Sequence, residues 1–224
     1  MRDVPDRAEY LRRWGTLHGV VDPTATPFVA GWLRIAHSCA VPLVRLGVSP
    51  NALTAVGLLV ALGVLPVVTL GGRWVLLAPV LVVASALVDS LDGAVAVMTG
   101  RTTSWGALLD GLADRVADTA YLVALWLLGA PGWTVAGAAA AALLHEYARA
   151  RATAAGMDDV GAVTVSERPT RVVIAAMFLL GAGLYPAAAA TWGTLGAAAA
   201  LTVGTVGLVQ LLVVVRRRLV GRRA

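Results

Sequence analysis

Apolar residues run along the chain in six long blocks, at about 51–71, 74–98, 105–129, 132–155, 171–190 and 192–215. Each block is near the ~20 residues a helix needs to cross ~30 Å of hydrocarbon, so the pattern predicts six transmembrane helices. Gly71-Gly72, Gly100, Ala130-Pro131-Gly132 and Pro186 punctuate them. The third to sixth blocks are rich in Ala and Gly, which lets helices approach closely in lipid, and the runs 138–142 and 197–200 are expected to be packing faces. Residues before 50 follow another pattern. Over 1–19, Arg7, Arg12 and Arg13 are set against Tyr10, Leu11 and Trp14, which predicts a short amphipathic helix broken by Pro23 and Pro27. From Phe28 to Leu46, Trp32, Arg34, His37 and Arg45 interrupt the apolar run. That mixture suits a helix lying in the membrane interface, with His37 a packing or interfacial residue. The resulting layout is all-α and integral to a membrane. Residues 1–48 form the cytosolic and interfacial helices, 49–217 the six-helix domain, and 218–224 a basic cytosolic tail.

Composition sharpens this. With 58% hydrophobic residues, 14% charged and a mean hydropathy of +0.79, the 224-residue chain does not read as a soluble protein. The single cysteine, Cys39, excludes an intrachain disulfide framework and argues against a thiolate metal site. The polar start MRDVPDRAEYLRRW predicts no secretory signal. All 18 basic residues are arginine, and the net charge of +5 sits beside apolar blocks, which points to anionic lipid headgroups and not to nucleic acid.

The arginines also predict orientation. They gather before the first block, between the fourth and fifth (Arg149, Arg151, Arg168, Arg171) and after the sixth (Arg216, Arg217, Arg218, Arg222, Arg223). Arg101 lies between the second and third, and the opposite side has only Arg73. By the positive-inside rule both termini are cytoplasmic, here at the cell's plasma membrane, and an even number of spans is required. Acidic and basic groups then face one another at the cytoplasmic surface.

Against this apolar background, aspartates at positions 89, 92, 110, 114 and 118 stand out. On helices, Asp89 and Asp92 are i, i+3, and Asp110, Asp114 and Asp118 are i, i+4, i+8, so each set lies along one face. An Asp in mid-membrane costs about 2.5–3.5 kcal/mol on insertion scales, and clustered like charges repel. A hard divalent cation held by carboxylate oxygens is the simplest way to keep them. One or two such ions would suit phosphoryl-type displacement, with one carboxylate spared as general base. Gly93 and Gly106 would let a ligand or a partner helix approach the backbone.

At these residues the chain resembles the CDP-alcohol phosphotransferases, whose signature is D-x-x-D-G-x-x-A-R-x8-G-x-x-x-D-x-x-x-D on the second and third of six transmembrane helices. Asp89, Asp92, Gly93, Ala96, Gly106, Asp110 and Asp114 occupy its fixed positions, and Val97 stands where the signature has Arg. Ser49-Pro50-Asn51-Ala52-Leu53-Thr54 resembles the P-N-x-x-T stretch opening the family's first span. The resemblance implies transfer of a phosphatidyl-type group from CDP-diacylglycerol to an alcohol, with release of CMP. It implies Asp89, Asp92, Asp110 and Asp114 as ligands of Mg²⁺ or Mn²⁺, two ions in all, and Asp114 also as general base. Gly93, Ala96 and Gly106, with Asn51 and Thr54, would line the nucleotide site. It further implies a homodimer. Arg101, one turn beyond Val97, is placed to supply the missing charge. Asp118 lies outside the signature and is expected to pair with Arg115 or another arginine.

The segments 147–152 (YARARA) and 167–171 (ERPTR) resemble stretches of phosphatidylinositol phosphate synthases that bind the acceptor's phosphate. The resemblance assigns that role to Arg149, Arg168 and Arg171, whose planar guanidinium groups suit phosphate, and makes inositol phosphate the expected acceptor. Glycerol 3-phosphate is the rival acceptor. A membrane carrier using its carboxylates as an ion path, and an inactive paralogue motivated by Val97, are the other readings.

Overall fold

The computed structural model describes residues 6–18, 27–157 and 163–221. Pro23, Arg222 and Arg223 lie outside the described residues, as do the side chains of Trp14 and Phe28. The described chain is all-helical: α1 (Arg7–His18), α2 (Pro27–Leu46), α3 (Pro50–Leu62), α4 (Val64–Leu70), α5 (Leu77–Thr99), α6 (Ser104–Leu127), α7 (Gly132–Ala154), α8 (Arg168–Leu184) and α9 (Ala189–Gly221), with three-ten turns at Gly72–Leu76 and Pro186–Ala188.

Among the described residues, three helical stretches are long and apolar enough to cross a membrane: Pro50–Leu70, Gly72–Thr99 and Pro186–Leu219. Large apolar side chains such as Leu59, Leu70, Trp74, Val80 and Trp133 point outward, as lipid-facing residues do. The other three expected spans coincide with α6, α7 and α8, which are more polar or shorter. Asp110, Asp114, Arg115 and Asp118 punctuate α6, while α8 has 17 residues.

Local chemistry explains where the helices break. The first apolar block is divided at Gly63 because Pro66 has no N–H to offer the Leu62 carbonyl and its ring crowds that oxygen. The fifth block stops at Leu184 because Pro186 disfavours a helical Tyr185, so its helix is shorter than the expected 171–190. By contrast, α9 spans 33 residues, about 50 Å, and carries Arg216, Arg217 and Arg218 on its final turns.

Two compact units divide the chain. The first comprises Met1–Val60 and Ala84–Asp114. Its core joins Tyr10 of α1 and Leu33, Ala36, Ala40 and Val44 of α2 to Leu53 and to Leu91, Ala94, Val95 and Met98 of α5. On α1, Arg7, Arg12 and Arg13 are exposed while Tyr10 is buried, and the His37 ring packs 5.4 Å from that of Tyr10. The second unit comprises Ala61–Val83 and Arg115–Ala224. It is built on small residues: a Cβ on Gly183 would lie 2.8 Å from the Leu76 nitrogen, and one on Gly193 2.9 Å from the Leu125 carbonyl oxygen. Ala138, Ala141, Ala142 and Ala197 are buried there, so the alanine runs do supply packing faces.

Candidate active site

Three of the chain's helix termini are specified closely enough to fix the acidic residues of the first unit. Gly100 takes φ +64° just past α5, and its N–H reaches the Val97 carbonyl while that of Arg101 reaches Ala96 at 3.0 Å. This is the paired closure that a left-handed glycine permits at a helix end. Thr103 then caps α6, its hydroxyl accepting the Gly106 N–H at 3.0 Å. Ser49 caps α3 in the same way through the Ala52 N–H at 3.2 Å, with Pro50 in the first helical position, where no N–H is needed. Asp89 and Asp92 thus sit on the last turns of α5 and Asp110 on the second turn of α6, separated by a connection of four residues, Gly100 to Thr103.

Asp89, Asp92 and Asp110 each offer a carboxylate oxygen, and these atoms all lie within 4.8 Å of one another. Oxygens on opposite sides of a hard divalent ion stand roughly 4–5 Å apart, so three such donors fit one with little adjustment. An all-carboxylate set favours Mg²⁺, Mn²⁺ or Ca²⁺ over zinc or copper. The Thr54 hydroxyl donates to Asp92 Oδ2 at 2.5 Å, which ties α3 to the buried member of the set. Asp114 lies one turn further along α6, half-buried and outside the group of three.

The carboxylates open into a cleft of about 460 Å³, within the usual range for small-ligand sites. Asn51, Thr54, Gly93, Ala96 and Gly106 all line it, so the structure brings together every residue expected at a nucleotide site. The two glycines differ in what they do. A Cβ on Gly93 would meet nothing within 4 Å, so this backbone is bared to the cleft. A Cβ on Gly106 would press on the Thr103 hydroxyl at 3.1 Å and the Asn51 side-chain oxygen at 3.4 Å, so that glycine serves packing. Val97 is buried at the cleft wall, and exposed Arg101 lines the same space, where a substitute for the signature's arginine would have to be.

Sequence reading did not single out Tyr10, Trp32 or Ser90 as cleft residues, and no periodicity marked them. The Trp32 indole N–H donates to Ser90 Oγ at 3.0 Å, fastening α2 to α5 between Asp89 and Asp92. Burial pushes the Tyr10 hydroxyl up to about 12, so it stays a neutral phenol.

The second unit holds the arginines. Arg149 Nη2 donates to Glu167 Oε1 at 2.6 Å. Arg171 is gripped on three sides: Nε faces Asp118 Oδ2 at 3.0 Å, Nη2 donates to Glu146 Oε1 at 3.1 Å, and Nη1 to the Ser166 carbonyl at 3.0 Å. Arg115 shares both acids, 2.8 Å from Glu146 and 3.7 Å from Asp118. Asp118 therefore pairs with arginines as expected. Arg168 opens α8, half-buried. Burial alone would raise the Glu167 carboxyl, but the Thr164 N–H and the Arg149 guanidinium outweigh it and hold the group below its ordinary value. Sequence reading missed Glu146, although its place beside the arginine-rich stretch was a usable signal.

Comparison with known proteins bears on this arrangement. The profile of the CDP-alcohol phosphatidyltransferase domain matches residues 47–214. The chain is 32% identical over 157 residues to an archaetidylinositol phosphate synthase of Pyrococcus horikoshii, covering 68% of this chain and 82% of that one. It is 33% identical over 150 residues to a phosphatidylinositol phosphate synthase of Cutibacterium acnes, covering 63% and 72%. The fold is similar to the crystal structure of Mycobacterium tuberculosis phosphatidylinositol phosphate synthase with CDP-DAG bound, with a TM-score of 0.67 and 26% identity over 81% of this chain and 94% of that one. It is also similar to the same protein in complex with manganese and citrate, with a TM-score of 0.64 and 26% identity over 80% and 87%.

Proposed function

Since the chain belongs to the CDP-alcohol phosphatidyltransferase family, we propose that it is the member that moves a phosphatidyl group from CDP-diacylglycerol to inositol phosphate, releasing CMP. The observation that carries this reading is the convergence of Asp89, Asp92 and Asp110 on one point of a cleft that also holds the expected nucleotide-contacting residues. The identity of the relatives supports the acceptor.

Asp89, Asp92 and Asp110, with Asp114 completing the expected set of four, would hold Mg²⁺ or Mn²⁺, two ions in this reading. Bound there, the metal would neutralise the diphosphate oxygens and stabilise the departing CMP. The remaining work falls to the chain's own side chains. The Thr54 hydroxyl keeps Asp92 in place, and bare Gly93 admits the nucleotide against the backbone beside Asn51, Ala96 and Gly106. Arg149, Arg168 and Arg171 orient the acceptor through its phosphate. Asp114 takes the proton from the acceptor hydroxyl as its oxygen attacks the phosphorus next to the diacylglycerol, and the bond from that phosphorus to CMP breaks. In this reading six helices span the plasma membrane, the termini and active site are cytoplasmic, α1 and α2 lie at the interface, and the enzyme is a homodimer.

CMP release from CDP-diacylglycerol, measured against a panel of acceptors with and without EDTA, tests the assignment. Inositol phosphate is expected to support turnover, glycerol 3-phosphate to support little, EDTA to stop the reaction, and Mg²⁺ or Mn²⁺ to restore it. Failure of both acceptors to support CMP release, or release indifferent to EDTA, would overturn the assignment.

The role given to Arg101 has its own test. A charge-assisted hydrogen bond contributes about 1.5–3 kcal/mol, so Arg101→Ala should raise KM for CDP-diacylglycerol about tenfold or more. Adding Val97→Arg, which restores a guanidinium to the same cleft, should recover most of that loss.

A further inference from the structure

His145 is fully buried on α7 and belongs to no motif. Its Nε2 lies 2.9 Å from Thr164 Oγ1. Thr164 has one hydroxyl proton, and it is directed at Glu167 Oε1, 3.0 Å away. With that proton engaged by the carboxylate, the threonine oxygen accepts from the ring, an arrangement that assigns a proton to Nε2, while Nδ1 faces Glu146 Oε1 at 3.7 Å. The Ser166 N–H also donates to that oxygen, at 3.3 Å. Glu167 Oε1 in turn collects the Thr164 N–H at 2.9 Å, the Thr164 hydroxyl, and Arg149 Nη2 at 2.6 Å. A single carboxylate oxygen thus joins the guanidinium to a turn that is pinned to α7 by the imidazole.

From this geometry we propose that His145 is a positioning residue. Acting through Thr164 and Glu167, it fixes the direction of the Arg149 guanidinium and so tunes recognition of the acceptor's phosphate. The inference rests on the reading of Arg149 as a ligand of that phosphate. Arg149 is about three-tenths exposed and carries a long, rotatable side chain, so without a fixed partner its guanidinium would sample many directions. With Glu167 held by the turn, one edge of the fork is committed and the other is presented in one orientation. Only a donor at Nε2 can make the contact, so a glutamine, whose amide N–H₂ reaches a similar distance from the backbone, should substitute for the ring. A leucine of similar size should not.

The test is steady-state CMP release from the full-length chain in detergent or vesicles, with KM measured separately for inositol phosphate and CDP-diacylglycerol. His145→Leu and Thr164→Val, the latter nearly isosteric and the safeguard should the former fail to fold, are each expected to raise KM for inositol phosphate about tenfold. KM for CDP-diacylglycerol should stay near that of the unaltered chain, and His145→Gln should stay close to normal on both measures. Arg149→Ala should raise the acceptor KM at least as much. In that background His145→Leu should add nothing, because the route it acts through is gone. An unchanged acceptor KM in both His145→Leu and Thr164→Val would overturn the proposal, as would a His145→Leu effect that persists undiminished beside Arg149→Ala. If Arg149→Ala itself leaves the acceptor KM unchanged, the assignment of Arg149 fails, and the role of His145 fails with it.

Discussion

Asp114→Asn is expected to lower CMP release about a thousandfold, while the chain stays folded and keeps part of its metal binding. Asn matches the shape of Asp but accepts no proton, and a positioned general base is worth about 10²–10⁴ in rate. Three carboxylates converge, and this fourth, one turn along α6, stands outside the group. An additional signature is expected in the pH profile, because loss of the base should remove the acidic limb from kcat/KM. Retention of more than a tenth of normal turnover by Asp114→Asn would rule the base out.

Asp110→Asn should fail differently. Asp110 is the one member of the converging set supplied by α6, so neutralising it leaves two oxygens from a single turn of α5. Altering the outer partners of a metal ligand costs about 10–100-fold in metal affinity or activity, so loss of a ligand itself should cost at least a hundredfold. Binding of Mn²⁺, followed by its electron paramagnetic resonance signal, should weaken strongly in Asp110→Asn and be partly kept in Asp114→Asn, which leaves the three converging carboxylates in place. Thr54→Val, which removes only the hydroxyl that steadies Asp92, should fall between the unaltered protein and Asp110→Asn. Equal Mn²⁺ affinity in Asp110→Asn and the unaltered chain would dissolve the proposed metal site.

Much of this was readable from the residues because the acidic positions combine a strong cost with a strict spacing. A carboxylate in an apolar block needs a reason, and helical periodicity already put Asp89 with Asp92 and Asp110 with Asp114 on common faces. One helix end was legible too: Gly100, which punctuates the apolar blocks, closes α5, while the caps at Ser49 and Thr103 emerge only in the structure. What stayed hidden depends on partners distant in sequence. Hydropathy runs unbroken through Gly63, so the division into α3 and α4 could be seen only by asking which carbonyl Pro66 deprives of a donor. An arginine partner for Asp118 was expected, but that Arg171 is the one, held by Glu146 as well, depends on the packing of three helices. Trp32 looked like an interfacial aromatic, and its indole bond to Ser90 emerges only once α2 and α5 are packed together.

The stretch between α5 and α6 has a further consequence. Surface connections ordinarily absorb insertions without harm, since each added residue costs little entropy. Here Gly100 and Arg101 close one helix and Thr103 starts the next, leaving Thr102 as the sole residue with no terminus to serve. One extra amino acid would swing Asp110 by about 100° around its axis if α6 lengthened, or misplace the cap if the join did. The eight unspecified letters within the motif are therefore a ruler: their count is dictated by mechanics even where their identities are free.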